Sequence, residues 1–274
     1  MKRKLFSELS PLTYQISIKK NILQRKLIDF IQAEPLAQTK QETLLPVSVY
    51  KHTSLIRRKL GNTDLTLQEN KAANLRIAAP KVSTILIKPN ETFSFWYLVG
   101  KCSVSAGYKD GVTIFNDSVR PGLGGGLCQF TNLIHWIVLH SPLEITEHHH
   151  HDGLDLFPDY GRKIPFGTGT SIVYNYLDYR FKNNTPNTYQ LLISVSETHL
   201  NGELRSDKEQ AYSYHISAEN EYFSRENGEV YRNGQIFRKC IDKRTGNLLE
   251  KKLIKENHAR VLYDTTHLDI QENL

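Results

Sequence analysis

Apolar residues return at three- and four-residue intervals twice in this chain, and each time the spacing predicts a helix with one apolar face. The first set is Ile18, Ile22, Leu23, Leu27 and Phe30, in a stretch from Met1 to Gln32 that also carries Lys2, Arg3, Lys4, Lys19, Lys20, Arg25 and Lys26. We read it as an amphipathic basic helix that packs its apolar stripe on the main domain, since the basic residues do not dominate the whole polar face. The alternative is a foot on an anionic membrane surface. The second set is Phe130, Leu133, Ile134, Ile137 and Val138, predicting a helix from about Leu127 to His140 that ends at Ser141-Pro142. Thr53–Leu60 and Leu67–Pro80 read as two further helices, with Asn62, Thr63 and Asp64 as capping side chains between them.

Other stretches are β-branched, aromatic or alternating. Ser83–Lys88 predicts a strand, Pro89-Asn90 a turn, and Thr92–Tyr97 an aromatic strand or extended segment. Leu143–Glu147 predicts a short strand running into His148–His151. Ser171–Phe181 predicts a long tyrosine-rich strand, with Tyr189–Glu197 as its antiparallel neighbour. Asn201-Gly202, Asn227-Gly228, Asn233-Gly234 and Thr245-Gly246-Asn247 mark turns, so Glu203–Tyr263 reads as short strands in a meander extending the sheet. The fold class expected is α+β: amino-terminal helices, then a mostly antiparallel sheet with a central cysteine-bearing helix packed on it.

At 274 residues, with 39% hydrophobic and 23% charged, the chain is long enough for a large core and ordinary in composition. A net charge of +6 favours anionic partners without specifying nucleic acid. No run approaches the roughly 18 apolar residues of a membrane span, and no apolar signal core follows the first basic residues, so a cytoplasmic location is expected. Cys102, Cys128 and Cys240 are widely spaced and form no CxxC pair, which points to reduced thiols. GLGGGLC lacks the Lys and Ser or Thr of a phosphate loop, and no dinucleotide fingerprint follows a clear strand.

The candidate chemistry gathers at Gly122–His140. Gly124, Gly125 and Gly126 let the backbone turn sharply and leave the first helical amides open, and Cys128 falls in the first turn, where the helix dipole favours thiolate. The plain alternative is a small buried residue, because cysteine is among the most buried types. On a continued strand His149 and His151 share one face and His148 and His150 the other. With Asp152 or Asp155 nearby, such a pair suits zinc, or one ring serves as a base for Cys128.

The pieces LIRRKLGNTDLTLQENKAANLRIA, IKPNETFSFWYLVG, GLGGGLCQFTNLIHWIVLHSPLEITE, DLFPDYGRKIPFGTGTSIVYNY and DYRFKNNT run almost from Leu55 to Arg205, with a weaker echo in ENHARVLYD. On these pieces the chain resembles the VanW-like family, known from accessory proteins of B-type glycopeptide (vancomycin) resistance clusters. The resemblance implies a link to the cell envelope or antibiotic resistance and carries no biochemical activity with it. Position by position, the family signature falls on Gly124, Gly125, Gly126, Cys128 and Gln129, and the family's post-helix histidine falls within His148–His151. In one departure, His148 stands after Glu147 where an arginine is expected, which puts an anion-binding role there in doubt. The chain then divides into an amino-terminal helix and connector (1–50), a VanW-like core (51–205) and a carboxyl-terminal β-hairpin extension (206–274).

Three functional readings follow. The leading one is a cysteine nucleophile acting on an amide: Cys128 attacks, His149 or His151 is the base, and Asp178 or Asn175 orients it. The first-turn amides and Gln129 then stabilise the oxyanion, and the substrate is a peptidoglycan-type stem peptide or its precursor. The order of elements is like that of transglutaminase-like and papain-like amidases, by analogy alone. The second is a non-catalytic ligand-binding accessory protein whose ligand sits against Gly124, Gly125, Gly126 and Gln129. The third is metal-dependent hydrolysis by the histidine run with Asp152 or Asp155; otherwise no cofactor is expected.

Overall fold

A computed structural model describes residue 6 and residues 9–57, 65–115, 118–150, 153–156, 158–159 and 164–272. His151, Asp152 and the expected caps Asn62, Thr63 and Asp64 lie outside the described residues. The fold is α+β with mostly antiparallel pairing.

The chain opens with α1 (Pro11–Gln32), started by a reciprocal capping box between Ser10 and Thr13. Its orientation divides the apolar set expected to pack on the main domain: Ile18 and Ile22 are half-buried on the inward face with Tyr14, Ser17, Asn21, Arg25 and Asp29, whereas Leu23, Leu27 and Phe30, with Leu12, Ile16 and Ile31, point away from the protein.

A four-stranded antiparallel sheet runs in the order β1 (Val47–Leu55), β10 (His199–Ser206), β9 (Tyr189–Val195), β2 (Ile85–Ile87). Thr53–Leu55, expected to begin a helix, are the end of β1, because the alternating residues from Val47 onward pair with β10 as far as Leu55 opposite His199. Asn201-Gly202, expected as a turn, lies inside β10. There Gly202 lets a helix approach: a Cβ would sit 2.6 Å from Ile137 and 3.0 Å from Leu133. That helix is α4 (Leu127–Leu139), the predicted cysteine helix, and α2 (Leu65–Val82) covers β9 beside it. Ala72, Leu75, Ala78 and Val82 from α2, Phe130, Leu133, Ile134, Ile137 and Val138 from α4, and Leu191, Ile193, Leu200 and Leu204 from the sheet form one core.

A three-stranded sheet, β3 (Thr92–Ser94), β8 (Arg180–Lys182), β6 (Glu144–Glu147), lies beside it. The aromatic segment expected as a strand leaves β3 at Ser94, whose hydroxyl accepts from the Tyr97 amide and starts the short α3 (Phe95–Val99). The long tyrosine-rich strand does not form. Asn175 is left-handed at φ 54°, and the chain folds back so that Val173 and Leu177 exchange backbone hydrogen bonds. Only Arg180–Lys182 remain as strand, paired with β3 and β6, while β9 pairs with β2 and β10. His148, His149 and His150 are likewise not strand, since β6 ends at Glu147.

The carboxyl-terminal region builds its own sheet from strands longer than expected: β11 (Tyr212–Glu226), β12 (Glu229–Asp242) and β13 (Leu248–Val261), flanked in parallel by β14 (Ile270–Glu272) and β7 (Leu154–Asp155). Asn227-Gly228 and Gly246 are turns as predicted, both with positive φ. Asn233-Gly234 is not; it lies inside β12, where the Asn233 amide donates to Ser224 across the ladder at 2.9 Å. Arg238 of β12 binds this sheet to α4 by donating to the Leu139 and Ser141 carbonyls, a cation placed at a helix carboxyl end. The hairpin β4 (Asp110–Phe115) and β5 (Ser118–Leu123) leads into the glycine turn.

Candidate functional site

The glycine turn is closed by the protein's own atoms. A Cβ on Gly125 would lie 2.3 Å from the Gly111 carbonyl carbon, one on Gly124 2.6 Å from the Cys102 sulfur, and one on Gly126, at φ +96°, 2.0 Å from Lys71. Asn74 of α2 fastens the turn, donating to the Gly125 and Lys109 carbonyls, both at 2.9 Å, and accepting from the Lys109 amide at 2.8 Å. The signature glutamine is also engaged: Gln129 Nε2 donates to Ser54 Oγ and to the Leu55 carbonyl of β1, both at 2.8 Å. Thus Gly124, Gly125, Gly126 and Gln129, expected to hold a ligand, pack or bond against Cys102, β4, α2 and β1 respectively.

Cys128 sits in the first turn of α4 under the segment 170–172. Thr131 and Thr170 join hydroxyls there, and the Thr170 amide donates to Asn132 Oδ1 at 2.6 Å. Burial pushes the Cys128 thiol up, and the pull of the Ile172 amide and of its own amide does not overcome it. The expected tilt toward thiolate is therefore outweighed. Cys102 behaves alike, pushed up to about 11 by burial.

The histidines are directed elsewhere. His148 Nε2–H donates to the Gly169 carbonyl at 2.9 Å, and the ring stacks on His135 of α4 with ring centroids 4.0 Å apart; His150 packs on His148, also at 4.0 Å. His135 in turn meets the Tyr179 hydroxyl at 3.2 Å, and burial, then His148 and His150, keep it neutral well below the usual histidine range. Seven residues separate His135 from Cys128, which is about 10 Å along the helix. His149 turns to Glu147 Oε1 at 2.9 Å.

Glu147 is a junction. It accepts a fork from Arg25 at 2.7 and 2.5 Å and the Asp178 amide at 2.8 Å. Burial works to raise its carboxyl, but the bonds from His149, the Asp178 amide and Arg25 together hold it below the usual range. Asp178, expected to orient a catalytic histidine, instead accepts from Ser94 Oγ at 2.5 Å, the Trp96 and Tyr179 amides at 3.0 and 2.8 Å, and Arg180 Nε at 2.9 Å. Arg180 reaches on to both oxygens of Asp29 in α1, at 2.8 and 2.9 Å. So Cys128, His149 and Asp178 are not brought together by any hydrogen bond among the described residues. Asp155, the candidate metal ligand, accepts from Tyr263 at 2.9 Å and from Arg232 at 3.4 Å. Among the described residues no group of three His, Cys, Asp or Glu side chains is set to hold a metal.

Next to the histidine stack the surface opens into a groove of about 400 Å³ between α4, β6 and the carboxyl-terminal sheet. It is lined by His135, His148 and His150, by Arg238, Lys252 and Lys255, and by one carboxylate, Glu144. Sequence reasoning missed these cations. Arg238 and Lys252 are cross-strand partners in β12 and β13, a proximity that exists only once the register is set.

The family model described as VanW like protein matches residues 70–205. Over 237 residues, 86% of each chain, this sequence is 32% identical to the vancomycin B-type resistance protein VanW of Enterococcus faecalis. The chain belongs to the VanW-like family. The VanW-like region contains the glycine turn, α4 and the histidine run, while Arg238, Lys252 and Lys255 lie outside the matched stretch. The uncharacterized protein YoaR of Bacillus subtilis is 27% identical over 118 residues, 42% of this chain and 36% of its own length. No solved structure matches the chain.

Proposed function

We propose that this VanW-like chain is a non-catalytic ligand-binding accessory protein linked to glycopeptide resistance, and that its ligand is an anionic peptide of the peptidoglycan stem or precursor type. The link to resistance rests on the likeness to the E. faecalis protein. The observation that carries the binding reading is the groove: Arg238, Lys252 and Lys255 line it together with His135, His148 and His150, and a carboxylate-bearing chain fits there. The family signature then has an architectural task, since its glycines and Gln129 are used in packing. Binding of a synthetic stem peptide, followed by calorimetry, tests this. The double change Lys252→Glu with Lys255→Glu weakens binding at least roughly tenfold, taking about 1 kcal/mol per lost charge contact, and Cys128→Ser leaves it unchanged. Undiminished affinity in the lysine variant removes the groove from consideration.

The cysteine-nucleophile reading keeps one observation in its favour. Gln68, buried in the first turn of α2, has a carboxamide with no hydrogen-bond partner among the described residues, three residues ahead of the Lys71 that covers Gly126. A peptide whose cleavage depends on Cys128 would establish that reading instead.

A further inference from the structure

We propose that α1 is a docking surface for an anionic lipid bilayer, lying flat on it with its outward stripe in the headgroup boundary. Soluble helices dock through their apolar side; this one leaves most of its large apolar residues outside. Its inward face is held by charges, Arg25 to Glu147 and to the Tyr176 carbonyl, and Asp29 to Arg180, alongside half-buried Tyr14, Ser17, Ile18, Asn21 and Ile22. Leu12, Ile16, Leu23, Leu27 and Phe30 recur on the opposite side, with Leu23 70% and Phe30 83% exposed. From residue 12 to residue 30 the stripe is about 27 Å long. Among the described residues no helix is long and apolar enough to cross a membrane, so the stripe suits lying on a bilayer rather than spanning it.

Charge selects the occupant. Lys19, Lys20 and Lys26 are exposed beside the stripe, and from Ser10 to Ile28 the helix has no acidic residue; its first carboxylate, Asp29, is taken by Arg180. A second copy of the chain docked on the same face would set lysine against lysine, since a two-fold interface repeats one patch on both sides. Anionic headgroups meet the lysines while the apolar side chains enter the acyl boundary.

The test is co-sedimentation of the full chain with phosphatidylcholine vesicles, with and without phosphatidylglycerol. Binding is expected only with phosphatidylglycerol, and salt weakens it. Replacing Lys19, Lys20 and Lys26 by Gln lowers the partition coefficient roughly 100-fold, at the usual contribution per juxtamembrane lysine. Leu23→Glu with Leu27→Glu and Phe30→Glu lowers it at least as much. Both variants keep the thermal transition and circular dichroism of the parent, because the altered side chains touch little of the protein. Absence of binding to phosphatidylglycerol vesicles, or binding unchanged in either variant, overturns the proposal. So does a concentration-dependent dimer, seen by light scattering, that the apolar variant dissolves, for the face then belongs to a second copy.

Discussion

Helix α4 buries Phe130, Leu133, Ile134, Ile137 and Val138 against the four-stranded sheet, whereas α1 turns Leu12, Ile16, Leu23, Leu27 and Phe30 to the outside and docks through Arg25 and Asp29. Both carry apolar residues at helical spacing. The difference lies in what waits on the other side. Opposite α4 is an apolar sheet with Gly202 cleared for close approach; opposite α1 are the half-buried Glu147 and the buried Arg180, charges that need partners. Removing a charge from water is costly unless it is paired, so the two ion pairs decide which face of α1 turns inward.

The contrast has measurable consequences. Phe130→Ala, in the centre of the core, lowers unfolding free energy by about 3–5 kcal/mol in chemical denaturation. Next in size is an acid effect at the end of α4. His140 stacks on Tyr50 at 3.9 Å and is held down to about 4, chiefly by burial and further by His215, His52 and Arg238, although the Trp136 carbonyl pulls it upward. A histidine neutral in the fold takes up its proton only on unfolding. Stability is therefore intact above the ordinary histidine value of 6.5, is lost as pH falls from there, and levels off near 4. The loss is about 3 kcal/mol. A His140→Phe variant melts with a flatter pH profile over that window. Glu147, depressed below the usual carboxylate range, contributes in the opposite sense: its stabilisation is present above the unfolded carboxylate value and goes only as pH drops through the lower folded one. The end of α4 thus weakens before the pairs that hold α1.

Arg25→Met removes one partner of a half-buried pair at a cost of about 1–2 kcal/mol, between the surface and buried cases. Hydrogen exchange locates that loss in α1 amides, leaving α2 and α4 protected. Smallest of all, Leu27→Ser on the outward stripe stays within about 0.5 kcal/mol in the same denaturation experiment. A large loss there would mean that the stripe is covered.

Apolar patterning made α4, α2 and β2 legible, because each buries an apolar face whose pattern is local. Leu127–Leu139 matches the expected span to within a residue. Less was readable where distant partners decide. Thr53–Leu55 became strand through pairing with β10, and Asn175 broke a tyrosine-rich run that alternation alone extends. Asn201-Gly202 and Asn233-Gly234 have turn chemistry but lie in strands, the first because α4 presses on Gly202. At the candidate site, the resemblance picked out the glycine turn and Cys128, yet no local signal says whether a glycine makes room for a ligand or for Lys71. The groove cations come from facing strands of a sheet whose register no short motif encodes.

The central claim, that the groove binds and Cys128 packs, is tested most directly by incubating wild-type protein and Cys128→Ser with a synthetic stem peptide and following the peptide by mass spectrometry alongside calorimetry. The account predicts intact peptide and equal affinity in both. A product that forms with the wild type and disappears in Cys128→Ser would contradict it.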